Sequence, residues 1–212
     1  GLEVTPTNTL KCLITGGEAL EQRHLDTVFT ANSEVRIYNE YGPTEATIGC
    51  SVKEVSQGES ITIGRPIANS HLLVVNALNQ LQPIGLSGEL LIGGHCLSSG
   101  YWKNEQENTA KFVTIDGERW YRSGDRARWL PNGELLYEGR LDDQVKINGY
   151  RIEPEEITRT IEAIDQVTGA VVRPRIVSDQ VLGLICYYVG DYTEEDLKMR
   201  TSERLPRYMV PE

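Results

Sequence analysis

A tight turn followed directly by polar side chains is the first feature of this sequence that could do chemistry. It lies in EYGPTEATIG, Glu40 to Gly49, where Gly42-Pro43 favours a sharp change of chain direction. Thr44 and Glu45 follow at once, so the turn presents a hydrogen-bonding hydroxyl beside a carboxylate. By itself the pattern is equally compatible with a surface turn whose Thr and Glu are solvated.

Three further charged residues lie close to glycines or strand-like segments. Asp125 directly follows Gly124, Arg140 directly follows Gly139, and Lys146 lies in a short apolar stretch. Taken one at a time, Asp125 would be a turn residue and Arg140 a surface ion pair worth at most about 1 kcal/mol. Lys146 would then belong to a solvated strand face. These residues acquire a role only in a wider pattern.

The histidines and cysteines show no spacing typical of a metal site or a catalytic triad. The cysteines lie too far apart for a zinc knuckle or a disulfide framework, which favours reduced thiols and a cytoplasmic location. His95 and Cys96 are adjacent, but on a strand they point to opposite faces. We therefore expect structural roles for His24, His71, His95 and Cys96, and reduced thiols for Cys12, Cys50 and Cys186 as well.

Composition excludes two classes of partner. The 212 residues carry a net charge of -10, and binding to nucleic acid requires clustered Lys and Arg that this chain does not have. The longest apolar run, Val181 to Val189, is too short to span a bilayer and suits a buried strand. The chain opens on Gly1 without a charged-then-apolar leader, so we expect it to begin inside a larger protein.

Two patterns of secondary structure are predicted for the first two-thirds of the chain, which must position these residues. A strand at Leu10 to Thr15, a helix at Glu18 to Phe29 and a strand at Glu34 to Tyr38 predict a parallel sheet with a covering helix. Short strands then alternate with Gly and Pro and predict an antiparallel barrel or sandwich. They are TIGCSV, ITIG, HLLVVN, GELLIGG, ERWYRS, RARWL and ELLYEG, with a hairpin turn at Pro131-Asn132-Gly133.

The last third of the chain reads as a small α+β unit. Gln144 to Ile147 is strand-like, and Pro154 to Ile164 is an amphipathic helix with proline in its first turn. Strands at Val167 to Val172 and Val181 to Val189 precede a helix that opens on a capping-box pattern at Thr193. The predicted fold class is mixed α/β: the end of an α/β sheet layer, a distorted antiparallel β-barrel and a small α+β subdomain.

Seven motifs occur in an order that points to one family. They are LITGGEAL at 13–20, NEYGPTE at 39–45, GEL to GYW at 88–102, YRSGD at 121–125, GRLDDQVKI at 139–147, GYRIE at 149–153 and LPRYMVP at 205–211. Together they closely resemble the adenylation domains of nonribosomal peptide synthetases, in the AMP-binding superfamily. The resemblance covers essentially the whole chain.

The resemblance implies a two-step reaction. An amino acid reacts with ATP and Mg²⁺ to give an aminoacyl adenylate and pyrophosphate, and the acyl group then passes to the phosphopantetheine thiol of a peptidyl carrier protein. Residues 1–141 would end the large subdomain, with an α/β part at 1–45 and a barrel-like part at 46–141. Residues 142–212 would form a small mobile subdomain that rotates at Asp142 between the two steps.

The resemblance also assigns roles around the nucleotide. Thr44 would donate to the α-phosphate, and Glu45 would hold Mg²⁺. Asp125 would receive the ribose hydroxyls, and Arg140 would reach the ribose and phosphate. The remaining residues assigned to nucleotide binding are Asn39 at the adenine amino group, Tyr41 stacked on the ring, Gly42 in the turn, Gly17 and Glu18.

For the second substrate, the resemblance predicts a side-chain pocket with a single ionisable group. A carboxylate in such a pocket needs a partner, so the substrate should carry a hydrogen-bond donor; we expect asparagine, with a basic amino acid second. For thiol transfer, Lys146 is the candidate cation, and Gly149 permits close approach of the pantetheine arm. The pocket residues are Ile14, Gly16, Glu40, Ile48 and Gly49, with Glu40 the ionisable one.

Some family features differ or are missing, which leaves alternatives open. Ser98-Ser99 replaces the usual Ala-Arg, Ser123 replaces Thr, and Asn148 replaces a common Arg. The family's phosphate loop, its amino-group Asp and its C-terminal Lys are not in the sequence, so we expect nucleotide contacts without independent turnover. The alternatives are an acyl-CoA or aryl-acid ligase of the same superfamily, or a noncatalytic fragment that docks a carrier or helper protein.

Overall fold

The computed structural model describes residues 9–147, 149–177 and 180–212, so Asn148 lies outside the described residues. The chain divides into two compact units, Gly1–Leu141 and Asp142–Glu212. Strands from several sheets and four α-helices confirm the predicted mixed α/β class. None of the helices within the described ranges is long and apolar enough to cross a membrane.

A four-stranded mixed sheet opens the first unit. Its strands run in the order β1-β2-β3-β4, with β1 and β2 parallel and the other pairs antiparallel. Helix α1 covers one face, where its Leu25 is fully buried against Ile37 and Val55. The elements are β1 (Cys12–Gly16), α1 (Gln22–Ala31), β2 (Arg36–Tyr41), β3 (Ser51–Val55) and β4 (Arg65–Pro66).

Several boundaries in this sheet differ from the sequence prediction, and two of them affect residues 39–50. Strand β2 runs to Tyr41, three residues beyond its expected end, so Asn39 and Glu40 lie on a strand. The predicted strand TIGCSV begins only at Ser51, because the chain before it is turn and bend, with left-handed residues that cannot continue a ladder. His24, expected to be structural, caps α1 by accepting a hydrogen bond from the Glu21 amide at 3.2 Å.

An open five-stranded antiparallel sheet follows in place of the predicted barrel. Its order is β5-β6-β8-β7, with β9 also paired to β8, and the described strands do not close into a ring. The hairpin turn is confirmed, with Gly133 at a φ of 77°. The elements are β5 (Ser70–Val75), β6 (Gly88–Gly94), α2 (Glu105–Lys111), β7 (Phe112–Ile115), β8 (Glu118–Trp129) and β9 (Leu135–Arg140).

The sequence predicts two strands here, ERWYRS and RARWL, separated at Gly124-Asp125. The structure keeps a single strand, because Gly124 takes a φ of 71° and β8 bulges against β6, where Arg122 and Arg126 pair with Leu91 and Glu89. Such a bulge inserts extra residues without ending the strand, and bulges often re-aim a side chain next to a functional site. The glycine therefore re-aims Asp125 rather than marking a turn.

The second unit packs two helices and a long hairpin around an aliphatic core. Pro154 occupies the first turn of α3, and the Thr193 hydroxyl caps α4 by accepting from the Asp196 amide at 3.2 Å, both as predicted. The sequence pattern predicts neither strand β11 of this unit nor helix α2 of the first unit. The elements are β10 (Val145–Ile147), β11 (Tyr150–Ile152), α3 (Pro154–Glu162), β12 (Val167–Val177), β13 (Gln180–Gly190) and α4 (Glu194–Ser202).

Candidate active site

The chain reverses direction immediately after β2, and the reversal depends on a glycine. A Cβ at Gly42 would lie 2.8 Å from the carbonyl carbon of Ile48 and 2.9 Å from the amide nitrogen of Cys50. Real Cβ atoms do not approach backbone so closely, so only glycine fits. The Cys50 amide also donates to the Tyr41 carbonyl at 2.9 Å, which closes the loop at its base.

The loop itself is a short 3₁₀ turn, Thr44–Ala46. The Pro43 carbonyl accepts from the amides of Ala46 at 3.0 Å and Ile48 at 3.3 Å. Thr44 is exposed, whereas Glu45 is only 7% exposed. The sequence alternative of a fully solvated Thr–Glu pair therefore does not hold for the carboxylate.

Two β-branched residues after the turn adopt left-handed backbone. Thr47 has a φ of 54° and Ile48 a φ of 73°, conformations that cost about 1–3 kcal/mol each for such residues. The Thr47 hydroxyl donates to the Cys96 carbonyl at 2.6 Å, which helps to hold this backbone. Ile48 is 71% exposed, so burial of its own side chain does not offset the strain.

Asp125 lies at the centre of a hydrogen-bonded cluster. One carboxylate oxygen accepts from the Tyr41 hydroxyl, and the other accepts from Arg140 Nη1 at 3.0 Å. The same Arg140 nitrogen donates to the Ser123 carbonyl at 2.9 Å. Asp125 is 6% exposed, so the two donors offset the cost of burying its charge. Residues from strands β2, β8 and β9 thus meet at one carboxylate.

Ser123 fixes the backbone beneath this carboxylate. Its hydroxyl donates to the Leu90 carbonyl at 2.6 Å and accepts from the Asp125 amide at 3.0 Å. Serine in place of the usual threonine therefore retains a hydrogen-bonding function. The sequence predicts no contact for Ser123. The one sequence feature that indicates it is a hydroxyl residue two positions before Asp125.

Tyr41 is tied to this cluster through its phenol. Burial, with the Asp125 charge next, raises the pKa of Tyr41 well above its ordinary value, so the phenol stays protonated and remains a donor. Its ring lies 6.2 Å from that of Tyr137. The Tyr41 side chain is therefore held by Asp125 at its hydroxyl and by the Tyr137 ring beside its own ring.

Asn39 is buried on the strand beside Tyr41. Its side chain is 5% exposed, and Nδ2 donates to the Thr62 carbonyl at 2.8 Å. Any hydrogen bond from a ligand amino group must therefore be accepted by Oδ1.

Four of the five predicted pocket residues share one face of the first sheet or lie against it. Ile14 and Gly16 alternate on β1, and Gly16 is directly opposite Glu40 on β2. A Cβ at Gly16 would lie 2.5 Å from the Glu40 carbonyl oxygen, and one at Gly49 would lie 2.7 Å from the Glu40 carboxyl carbon. Gly16 thus lets β1 approach the Glu40 backbone, and Gly49 makes the space that the Glu40 side chain occupies.

The remaining predicted residues are Gly17 and Glu18 in the first unit and Lys146, Gly149 and Asp142 at or beyond the unit boundary. Gly17 follows β1 with a φ of 88° and, like Glu18, is exposed. In the second unit, Lys146 is exposed on β10 in register with Arg151 on β11. Asp142 is the first residue of that unit, and its carboxylate accepts from the Gln144 amide at 3.3 Å.

The oxygen atoms at the turn are suitable ligands for Mg²⁺, an ion that proteins usually bind through only a few of their own atoms. Glu45 and the Thr44 hydroxyl offer oxygen donors, and Mg²⁺ typically combines one or two carboxylates with water and phosphate oxygens. Within residues 9–147, 149–177 and 180–212, no cluster of three or more His, Cys, Asp or Glu could hold a metal. A cation at Glu45 would therefore depend on a bound nucleotide.

Comparison with known proteins shows which proteins this chain resembles. The model of the AMP-binding enzyme family matches residues 3–102. Tyrocidine synthase 3 of Brevibacillus parabrevis is 43% identical over 211 residues, which are 96% of this chain and 3% of the relative. The chain is therefore similar to AMP-binding enzymes and to peptide synthetases. It spans only a small fraction of the curated synthetases that it matches.

Two solved structures show the same fold around this AMP-binding segment. The Vibrio cholerae adenylation domain AlmE, in complex with glycyl-adenosine-5'-phosphate, has a TM-score of 0.86 at 28% identity, covering 96% of this chain and 40% of that one. PA1221, a nonribosomal peptide synthetase protein with adenylation and PCP domains, has a TM-score of 0.79 at 29% identity, covering 96% and 42%. The predicted likeness to adenylation domains is confirmed.

Proposed function

We propose that this chain is the part of an adenylation domain that binds ATP and positions an amino acid for conversion to an aminoacyl adenylate. The observation that carries the proposal is the meeting of Tyr41, Asp125 and Arg140, which come from three separate motifs of an AMP-binding sequence. A buried carboxylate held by two donors is a preorganised acceptor for a ligand's hydroxyl groups.

The ribose would bind at Asp125. Each carboxylate oxygen has more than one lone pair, so both can accept from ribose hydroxyls while Tyr41 and Arg140 keep their bonds. Arg140 adds positive charge at the edge of this site, toward the phosphates. Adenine would stack on the Tyr41 ring and donate its amino group to Asn39 Oδ1, with Gly17 and Glu18 completing this end of the site.

The triphosphate would lie over the 3₁₀ turn. The exposed Thr44 hydroxyl donates to the α-phosphate, and the Glu45 carboxylate holds Mg²⁺. When bound, Mg²⁺ neutralises phosphate charge that grows during attack on the phosphorus. The turn itself supplies fixed donors and a fixed carboxylate, and Gly42 keeps both in register with Tyr41.

The amino acid would extend toward Glu40. Ile14, Gly16, Ile48 and Gly49 offer no ionisable group, so the substrate side chain would supply the donor that satisfies Glu40. An asparagine carboxamide suits this arrangement best, with a basic side chain second. AlmE is a neighbour solved with glycyl-adenosine-5'-phosphate, which supports an amino acid as the substrate class.

The second step would transfer the acyl group to the phosphopantetheine thiol of a carrier protein. The PCP domain of PA1221 supports this class of partner. Lys146 would act as the cation beside the pantetheine arm, and Gly149 would leave space for it. Rotation of the second unit would concentrate at Asp142, where the two compact units divide.

Amino-acid-dependent pyrophosphate exchange by a synthetase that contains this chain tests the proposal. Exchange with asparagine above all other amino acids is the expected result, with basic amino acids next. Exchange driven by leucine or phenylalanine ahead of every N–H-bearing side chain would refute the role of Glu40. No exchange with any amino acid would refute the proposed activity.

A further inference from the structure

The segment from Cys96 to Tyr101, here called the strap, fastens the turn that carries Glu45. The Ser98 amide donates to the Glu45 carbonyl at 2.8 Å, and the Cys96 carbonyl accepts from the Thr47 hydroxyl at 2.6 Å. The Tyr101 hydroxyl donates to Glu45 Oε1. The strap thus holds both the backbone and the side chain of the turn.

Tyr101 is itself fixed by helix α2. Its amide donates to Asn108 Oδ1 at 2.7 Å, and its carbonyl accepts from Asn108 Nδ2 at 2.9 Å. Its ring meets Phe112 edge-on, with 5.9 Å between the ring centroids. The asparagine acts as a clamp on the Tyr101 backbone, so the hydroxyl has a defined position before any ligand binds.

Arg119 closes the strap from strand β8. Its guanidinium donates to the carbonyls of Ser98 at 2.6 Å and Ser99 at 3.1 Å and lies 4.0 Å over the Phe112 ring. Gly100, between these points, has a φ of 120°, which a residue with a side chain rarely adopts. Side chains from three elements therefore shape the path that delivers Tyr101 to Glu45.

The contacts of the strap, Asn108 and Arg119 go beyond what a solvated surface turn requires. A buried carboxylate needs donors, and a hydrogen bond to an ionised group is stronger and more directional than a neutral one. Where a carboxylate binds a metal, the hydrogen bond to it sets its orientation, and removal of such a partner typically weakens metal affinity about 10- to 100-fold.

We propose that Tyr101 is a positioning residue of the nucleotide site, whose hydroxyl holds the Glu45 carboxylate in the orientation that ligates the divalent cation accompanying ATP. The inference rests on the proposed function, because Glu45 has a cation to bind only in that site. It gives Tyr101, which lies in the GYW motif, a role that the resemblance did not assign, and it explains the contacts of the strap.

The test is the gain in ATP affinity that Mg²⁺ confers. Calorimetry of ATP binding with Mg²⁺ and with EDTA gives this gain for the wild-type chain and for Tyr101→Phe. The variant should lose about tenfold of the gain, while its metal-free ATP affinity stays within error of the wild type. Its melting temperature, which loss of a donor to the buried Glu45 should lower, is measured to confirm that it is folded at the assay temperature. Asn108→Ala, which keeps the hydroxyl but releases the clamp, should lose part of the gain.

A matched control is Tyr38→Phe, which removes a hydroxyl beside the exposed Glu54. It should keep the full gain. A wild-type chain without any Mg²⁺-dependent gain would overturn the metal assignment and this inference together. A normal wild-type gain that Tyr101→Phe retains, or a loss that is equal with Mg²⁺ and with EDTA, would overturn the inference alone.

Discussion

Glycines beside the candidate site of the first unit and two glycines of the second unit have different surroundings. In the first unit a Cβ at Gly42 would meet Cys50 backbone at 2.9 Å, and one at Gly16 would meet the Glu40 carbonyl at 2.5 Å. In the second unit, a Cβ at Gly149 or Gly169 would meet no atom within 4 Å. The glycines beside the candidate site therefore permit close backbone approaches, whereas Gly149 and Gly169 lie in open space.

The candidate polar residues of the two units differ in burial and in their hydrogen-bond partners. Asp125 is buried and bonds to Tyr41 and Arg140, which lie 84 and 15 residues away in sequence. Lys146 is exposed on a strand of three residues, opposite Arg151. Chemistry that needs fixed acceptors fits the first unit, whereas a contribution from Lys146 would come from an exposed side chain.

The largest difference is expected for alanine at a glycine of each unit. Gly42→Ala forces the turn apart and should lower the free energy of unfolding of the first unit by about 3 kcal/mol. Gly169→Ala, the matched control in open space, should change that of the second unit by less than about 1 kcal/mol. Urea denaturation of each variant measures both, and equal effects would contradict the comparison.

Proline at the boundary between the units should separate the two steps. Asp142→Pro locks φ, so rotation of the second unit would be blocked. In a synthetase that contains this chain, one half-reaction should fall by about 100-fold and the other little. Pyrophosphate exchange and carrier loading are measured separately, with Asp143→Ala as the neighbouring control. Equal loss of both activities would argue against a hinge.

A smaller effect is expected at the second unit's lysine. Lys146→Met removes a cation but keeps the aliphatic stem, so carrier loading should fall about tenfold, or about 1.4 kcal/mol. Pyrophosphate exchange should not change, because that step is assigned to the first unit. Lys198→Met, on helix α4, controls for the loss of one charge. Reduced exchange in Lys146→Met would show that the two units do not divide the chemistry.

The smallest effect is expected in the pocket of the first unit. Glu40→Gln keeps an acceptor for an asparagine amide but removes its charge, so exchange with asparagine should fall only about fivefold, roughly 1 kcal/mol. A basic substrate would lose far more, because its counter-charge is gone. Glu34→Gln, on the exposed chain before β2, is the control. An unchanged amino-acid profile would remove Glu40 from the pocket.

Local pattern was enough to predict the elements with strong sequence signals. Strand β6 has its predicted bounds, and Pro154, Thr193 and Gly133 act at the helix and turn positions expected of them. The division of β8 was wrong because a glycine in a bulge and a glycine in a turn look alike in sequence. Both require positive φ, and only pairing with neighbouring strands tells them apart.

The candidate site was predictable only in part. Motifs located Tyr41, Asp125 and Arg140, but their mutual hydrogen bonds depend on tertiary structure. Tyr101 was missed as a partner of Glu45 because the two are 56 residues apart and no local pattern links them. Burial of Cys50, which raises the pKa of its thiol to about 12 and keeps it protonated, likewise depends on tertiary structure.

The central claim is that the Asp125 carboxylate receives the ribose of ATP. Calorimetry of ATP binding to the wild-type chain and to Asp125→Ala tests it most directly, with Asp125→Asn as the isosteric companion and Glu54→Ala, which breaks the exposed pair with Arg36, as the control. Loss of the carboxylate should weaken ATP binding by roughly 1 to 3 kcal/mol, about 5- to 150-fold, while the control binds normally. An ATP affinity that is the same in the wild type and both Asp125 variants would contradict the account.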